Sequence, residues 1–178
     1  MKKVLLPLLA ATFLISCNAN ESTTVKGATD SSGKTETVSL PFPVTRTPDW
    51  EIGDPANVPI AMNALKAFVD NDMTRIKEYL ADSVDFRADD FTFKGHKDSL
   101  VKSMTEMRNQ YDKIDISMKD YESVKSKNRG EEWVSMWYVQ TNFAKDGKVD
   151  SAMYMDDIQI VNGKVALIDS KGRRLANK

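Results

Sequence analysis

At Lys113 the hydrophobic repeat of this chain changes from helical to extended, and that change constrains the fold more than any other feature of its 178 residues. Upstream, Ile60, Ala61, Ala64, Leu65, Phe68 and Val69 recur at three-to-four spacing. Met73, Ile76, Tyr79 and Leu80 do the same, and so, after Gly95, do Leu100, Val101, Met104, Met107 and Tyr111. Residues so spaced share one face of a helix, so the pattern predicts three amphipathic helices. Asn57 is the expected cap of the first, with Pro59 tolerated in its opening turn, and Asp72 is the expected cap of the second. Between the second and third helices, "SVDFRADDFTFKG" reads as two short strands joined by "ADD". Downstream of Lys113 the period is two. Ile114, Ile116 and Met118 alternate, then slip phase near Asp120-Tyr121, which predicts a bulge. Three more strands follow, punctuated by Asp146-Gly147 and Asn162-Gly163, both preferred pairs for two-residue hairpin turns. The expected fold class is α+β: three N-terminal helices packed on a bent antiparallel sheet.

The ends of the chain carry a different signal. Lys2 and Lys3 precede an almost wholly apolar run, Val4 to Ile15, of about 12 residues. A membrane-spanning helix needs ~20, whereas a secretory h-region has this length. The run ends Leu14-Ile15-Ser16-Cys17, which resembles the bacterial lipobox: aliphatic, small, then Cys. The resemblance implies a signal peptide over residues 1–16, lipidation of Cys17, and a lipid-anchored place in the bacterial cell envelope. Residues 17–47 are rich in Ser, Thr, Gly and Asn and read as a flexible tether, with "LPFPV" the exception, stiffened by Pro41 and Pro43 and with Phe42 a candidate to dock on the domain. The domain is then expected over residues 48–178, long enough to build a real core.

Composition excludes several functions. Cys17 is the one cysteine and His96 the one histidine, so neither a disulfide nor a zinc site is expected. "FKGHKDS" lacks the spacing of a phosphate loop, and "DDF" and "DDI" lack the ligand periodicity of a calcium loop. No cofactor and no metal are therefore expected. The chain holds 25 Lys and Arg against 26 Asp and Glu; loss of Lys2 and Lys3 leaves 23 against 26, a net charge near −3. No basic stripe offers itself to nucleic acid.

The element order, "ADSVDF" after the second helix, "FKGHKDSLVKSM" opening the third and "DDIQIVNGKVALID" as the closing hairpin are similar to the SnoaL-like branch of the nuclear transport factor 2-like superfamily. The resemblance covers about 130 residues and lies in the order of the features. It implies a cone, a bent sheet wrapped on a long helix with a pocket inside. It implies no single activity, since the superfamily includes isomerases, cyclases, dehydratases and non-catalytic binders.

Residues facing each other across paired strands share a face, so the two hairpins yield a register. With two-residue turns, Val139 faces Tyr154, Trp137 faces Asp156, Ser135 faces Ile158, and Asp156 faces Asp169. One face then presents Trp133, Trp137, Val139, Tyr154, Ile158, Ile160, Val165 and Leu167 and is expected to point at the helices. On it Asp156 and Asp169 are cross-strand neighbours, their Cβ atoms ~5 Å apart. Desolvation and mutual repulsion would split their pKa values, which suits general acid and base work. Ligand hydrogen bonding without turnover, or a pair neutralised by Lys171, Arg173 or Arg87, are the other readings. Trp133, Trp137, Tyr154, Phe86 and Tyr79 are the expected aromatic walls, with Ser135 a further polar contact. His96, at a helix start with Asp98 and Ser99 near it, fits a cap better than a nucleophilic triad. "KGRR" from Lys171 reads as a charged tail. The opposite face, with Val134, Met136, Tyr138, Met153 and Met155, is a candidate homodimer surface. The expected function is a cell-envelope lipoprotein binding a small, partly apolar ligand. The alternatives are an isomerase, cyclase or hydrolase using Asp156 and Asp169, and a protein-interaction module of the envelope.

Overall fold

The computed structural model describes residues 24–26, 37–45, 49–89 and 91–175. The expected signal peptide and Cys17 lie outside them, as does much of the expected tether. The chain divides into two units, Met1–Pro48 and Asp49–Lys178. In the first, β1 (Thr24–Lys26) and β2 (Thr37–Ser39) pair antiparallel, so the described part of the expected tether includes a short strand pair.

The second unit runs β3 (Trp50–Ile52), α1 (Asn57–Val69), α2 (Met73–Tyr79), β4 (Leu80–Arg87), β5 (Thr92–His96), α3 (Lys97–Arg108), β6 (Tyr111–Ser126), β7 (Glu132–Ala144), β8 (Val149–Val161) and β9 (Lys164–Arg174). Its seven strands form one curved sheet in the order β3-β6-β7-β8-β9-β4-β5. The expected α+β architecture with three helices is present. One strand pair departs from the antiparallel expectation: β4 lies parallel to β9. The chain between them is long and includes α3, and parallel neighbours require such a crossover. The phase slip expected in β6 falls between Met118 and Asp120.

The helices start for local reasons. Asp72 accepts the Arg75 N–H at 3.0 Å and caps α2, as expected. His96 caps α3, its Nδ1 accepting the Asp98 N–H at 3.3 Å. Asn57 does not cap α1. It is buried in the first turn, and its Nδ2 donates to Glu132 at 2.7 Å across to β7. The stripe of α1 buried most completely is made of small residues, Ala61, Ala64 and Ala67. They bring the helix close to the sheet, where Ile76, Leu80, Leu100, Met104, Val134, Met136, Ile158 and Val165 complete the core. Buried Arg108 ties the ends of the helices together, donating to the Val69 carbonyl at the end of α1 and to that of Tyr111.

Asp49 fixes the entry to the sheet. Its carboxylate accepts the Ser126 hydroxyl and the Asn128 N–H, each at 2.7 Å, and pairs with Arg129 at 3.3 Å. Its carbonyl accepts the Lys127 N–H at 3.0 Å. The residue before β3 is thus held by the whole turn between β6 and β7.

Two hairpins set the register of the concave face. Asn162 and Gly163 both have positive φ, 51° and 71°, which makes the two-residue turn expected there. The β7–β8 hairpin is one residue longer than expected. Its loop is Lys145-Asp146-Gly147, closed by the Gly147 N–H on the Ala144 carbonyl, with Gly147 at φ 85°. This is a turn followed by a left-handed glycine, a common three-residue connection. A further bulge lies in β9 at Ala166: Ile160 pairs with Val165, but Gln159 pairs with Leu167.

Candidate functional site

Each one-residue slip turns a strand over, because side chains alternate with period two. The longer loop turns β7, so Val134, Met136 and Tyr138 face the helices and are buried. Trp133, Ser135, Trp137 and Val139, expected inside, lie on the outer face. The outer face thus carries these residues with Met153 and Met155, in place of Val134, Met136 and Tyr138. The Ala166 bulge turns the far part of β9, placing Ile168 and Ser170 inside and Leu167 and Asp169 outside. Strand β8 keeps its expected phase, with Tyr154, Asp156, Ile158 and Ile160 inward.

The expected juxtaposition of Asp156 and Asp169 is therefore absent. Asp156 pairs with Ser170, and it is Asp157 that pairs with Asp169, on the other side of the sheet. There Lys171 neutralises both, at 3.0 Å to Asp157 and 3.1 Å to Asp169. The Ser135 hydroxyl donates to Asp157 at 2.6 Å and belongs to this outer cluster. "KGRR" is the end of β9, so it is not a free tail. Gly172 makes room there for the Tyr154 ring, whose edge would stand 3.0 Å from a Cβ at that position.

Between the concave face and the helices lies a cavity of about 250 Å³. Its walls are apolar and aromatic: Leu65 and Phe68 from α1, Phe86 and Phe91 at the β4–β5 hairpin, Met104 and Met107 from α3, and Tyr154 from β8. Phe86 and Tyr154 stand where expected. Trp133, Ser135, Trp137 and Tyr79 do not line it, nor does His96, which is exposed at the start of α3. Among the polar groups, Tyr138, Asp156 and Ser170 converge on one spot. Asp156 is 5% exposed. Its two oxygens accept the Tyr138 hydroxyl at 2.7 Å and the Ser170 hydroxyl at 2.6 Å. Tyr138 reaches Asp156 diagonally across the strand pair and stacks on Tyr154 with ring centres 5.6 Å apart. Farther along β7, the Gln140 Nε2 donates to the side-chain Oδ1 of Asn142 at 2.8 Å, and Asn142 is buried.

Burial pushes the Asp156 carboxyl above the usual carboxylate range, and the two hydroxyl donors pull it back only in part. Burial, followed by the charge of Asp156, raises the Tyr138 hydroxyl well above its usual range, so it remains a donor. The arrangement can hold a hydrogen-bonding or charged group of a ligand and can exchange a proton with it. Tyr138 and Ser170 are functional candidates that the expected register hid. Reading Lys145-Asp146-Gly147 as a three-residue loop would have brought Tyr138 inside.

No protein-family model and no curated protein matches the sequence. Solved structures do share its fold. An LEH-like epoxide hydrolase from M. tuberculosis matches with a TM-score of 0.56 at 10% identity, over 66% of this chain and 83% of that one. A nuclear transport factor 2-like protein from Burkholderia xenovorans gives 0.53 at 14% identity, over 69% and 93%. A proposed polyketide cyclase from Xanthomonas campestris gives 0.52 at 12% identity, over 65% and 89%. At such identities the likeness concerns architecture alone: the chain has the nuclear transport factor 2-like fold.

Proposed function

We propose that this chain is a cell-envelope lipoprotein whose domain binds a small, partly apolar molecule inside its cone. The observation that carries the binding role is the cavity, where aromatic and aliphatic walls surround a few convergent polar groups, the usual composition of a ligand site. The envelope role is supported by the basic start, the short apolar run and Leu14-Ile15-Ser16-Cys17.

Two experiments test these roles separately. Mass spectrometry of small molecules extracted from the purified full-length chain should find a compound whose occupancy falls in Met107→Trp, a change that narrows the cavity. Equal occupancy in the two proteins, or an empty protein that takes up no apolar probe, would refute pocket binding. Cys17→Ser should block acylation and leave the chain either unprocessed or soluble. An unchanged acylated mass would refute the anchor.

A second reading has its own support. Asp156 is buried, its proton affinity is raised, and it faces the cavity, which are the properties of a general acid or base. Turnover would then rest on Asp156 alone, with Tyr138 and Ser170 holding it in place. Loss of turnover in Asp156→Asn with retained ligand binding would favour this reading over simple binding.

A further inference from the structure

We propose that the pocket selects a small ammonium, a primary or secondary amine carried on an apolar body about the size of a ring. This deepens the binding role above and rests on it.

The charge inventory of the cavity is one-sided. Among the described residues lining it, Asp156 is the one ionisable acid or base outside the tyrosines; no Lys, Arg or His is present. Lys171, next to the Ser170 that pairs with Asp156 across the sheet, sits on the other face and is held by Asp157 and Asp169. Folding thus removes Asp156 from water without giving it a counter-charge on its own side. A buried carboxylate without a cation is costly, and the attraction it offers an incoming cation is strengthened by the same low dielectric. The two hydroxyls satisfy only part of the need. A carboxylate has about four lone-pair sites, and Tyr138 and Ser170 fill two of them.

The walls suit the rest of such a ligand. Phe68, Phe86, Phe91 and Tyr154 line the same cavity as Asp156. Aromatic faces attract cations as well as apolar groups. The volume of about 250 Å³ admits a body of modest size. A carboxylate or phosphate ligand would meet a like charge with no compensating cation. A neutral alcohol would gain a hydrogen bond and leave the charge of Asp156 unbalanced.

Calorimetric titration of the full-length chain with matched probes tests the inference. Phenylpropylamine, phenylpropanol and phenylpropanoate differ only at the polar end, and the butyl and cyclohexylmethyl series repeat the comparison at smaller size. The amine should bind at least about tenfold more tightly than its alcohol, since hydrogen bonds between charged groups are the stronger ones. The carboxylate should not bind. In Asp156→Asn the amine should fall to the level of the alcohol. The wild-type ratios stand on their own should that variant fail to melt cooperatively. Alcohols binding as tightly as amines, or carboxylates binding at all, would overturn the ammonium while leaving the pocket a ligand site. Failure of every member of every series would overturn both.

Discussion

Folding takes the Asp156 carboxyl out of water and leaves it two hydroxyls in exchange, and its contribution to stability must therefore depend on pH. With a folded-state pKa raised above the unfolded value of ~3.9, the protonated form stabilises the fold. That contribution is complete below the unfolded pKa and is lost as pH rises through the folded one. Asp156→Asn removes the charge and keeps one acceptor, so the variant should gain on the wild type in urea titrations as pH is raised from roughly 4 to 8. Parallel pH profiles for the two proteins would contradict the account. Ser170→Ala removes one of the two donors and should cost about 1.5–3 kcal/mol near neutral pH, less in acid. The placement of Asp156 was legible because β8 alternates cleanly: Tyr154, Asp156, Ile158 and Ile160 share one phase, against Met155, Asp157 and Gln159. Its partners were not legible. Tyr138 and Ser170 come to it through the registers of two other strands.

Those registers show what hydrophobic pattern can and cannot specify at the level of the strand. In β7, "WVSMWYV" places large apolar groups in both phases: Trp133, Trp137 and Val139 in one, Val134, Met136 and Tyr138 in the other. In β9, Val165 to Ile168 is an unbroken apolar run with no phase of its own. Loop length and a bulge then decide, and both are single-residue matters. The helices and the Asn162-Gly163 turn carry stronger signals, a helical stripe and a pair of residues tolerant of positive φ, and three helices and that turn are present, although Leu80 and Tyr111, expected on helices, open strands instead. The loop can be tested directly. Gly147 has open space around it and φ 85°, so Gly147→Ala should cost only the strain of the left-handed conformation, about 1–2 kcal/mol by thermal or urea melting. Deleting Lys145 leaves Asp146-Gly147 as a two-residue turn. The shortened turn still sets Ala144 opposite Lys148, as in the three-residue loop, so Val134, Met136 and Tyr138 stay inward and the variant should keep its cooperative transition. Loss of the cooperative transition would mean that this pairing needs the third loop residue.

For the molecule as a whole, the boundary between the two units falls at Asp49. Residues 18–39 offer few large apolar side chains, so a chain beginning at Thr47 should melt at nearly the same temperature as one that begins at Asn18. Starting instead at Trp50 removes Asp49 and leaves the Ser126 hydroxyl and the Asn128 and Lys127 N–H groups without their acceptor. That shorter chain should melt lower and exchange its amides faster from Ser126 to Gly130. Equal melting temperatures for all three would show that the Asp49 contacts add nothing. The same contacts have a mechanical meaning. A pull on the chain ahead of Asp49 does not fall first on the three-residue strand β3, which would peel from β6 one residue at a time. It falls on several bonds to one turn, loaded together, as a cable is clamped where it enters a housing. Strain arriving from the N-terminal side meets these bonds at the edge of the sheet before it meets β3.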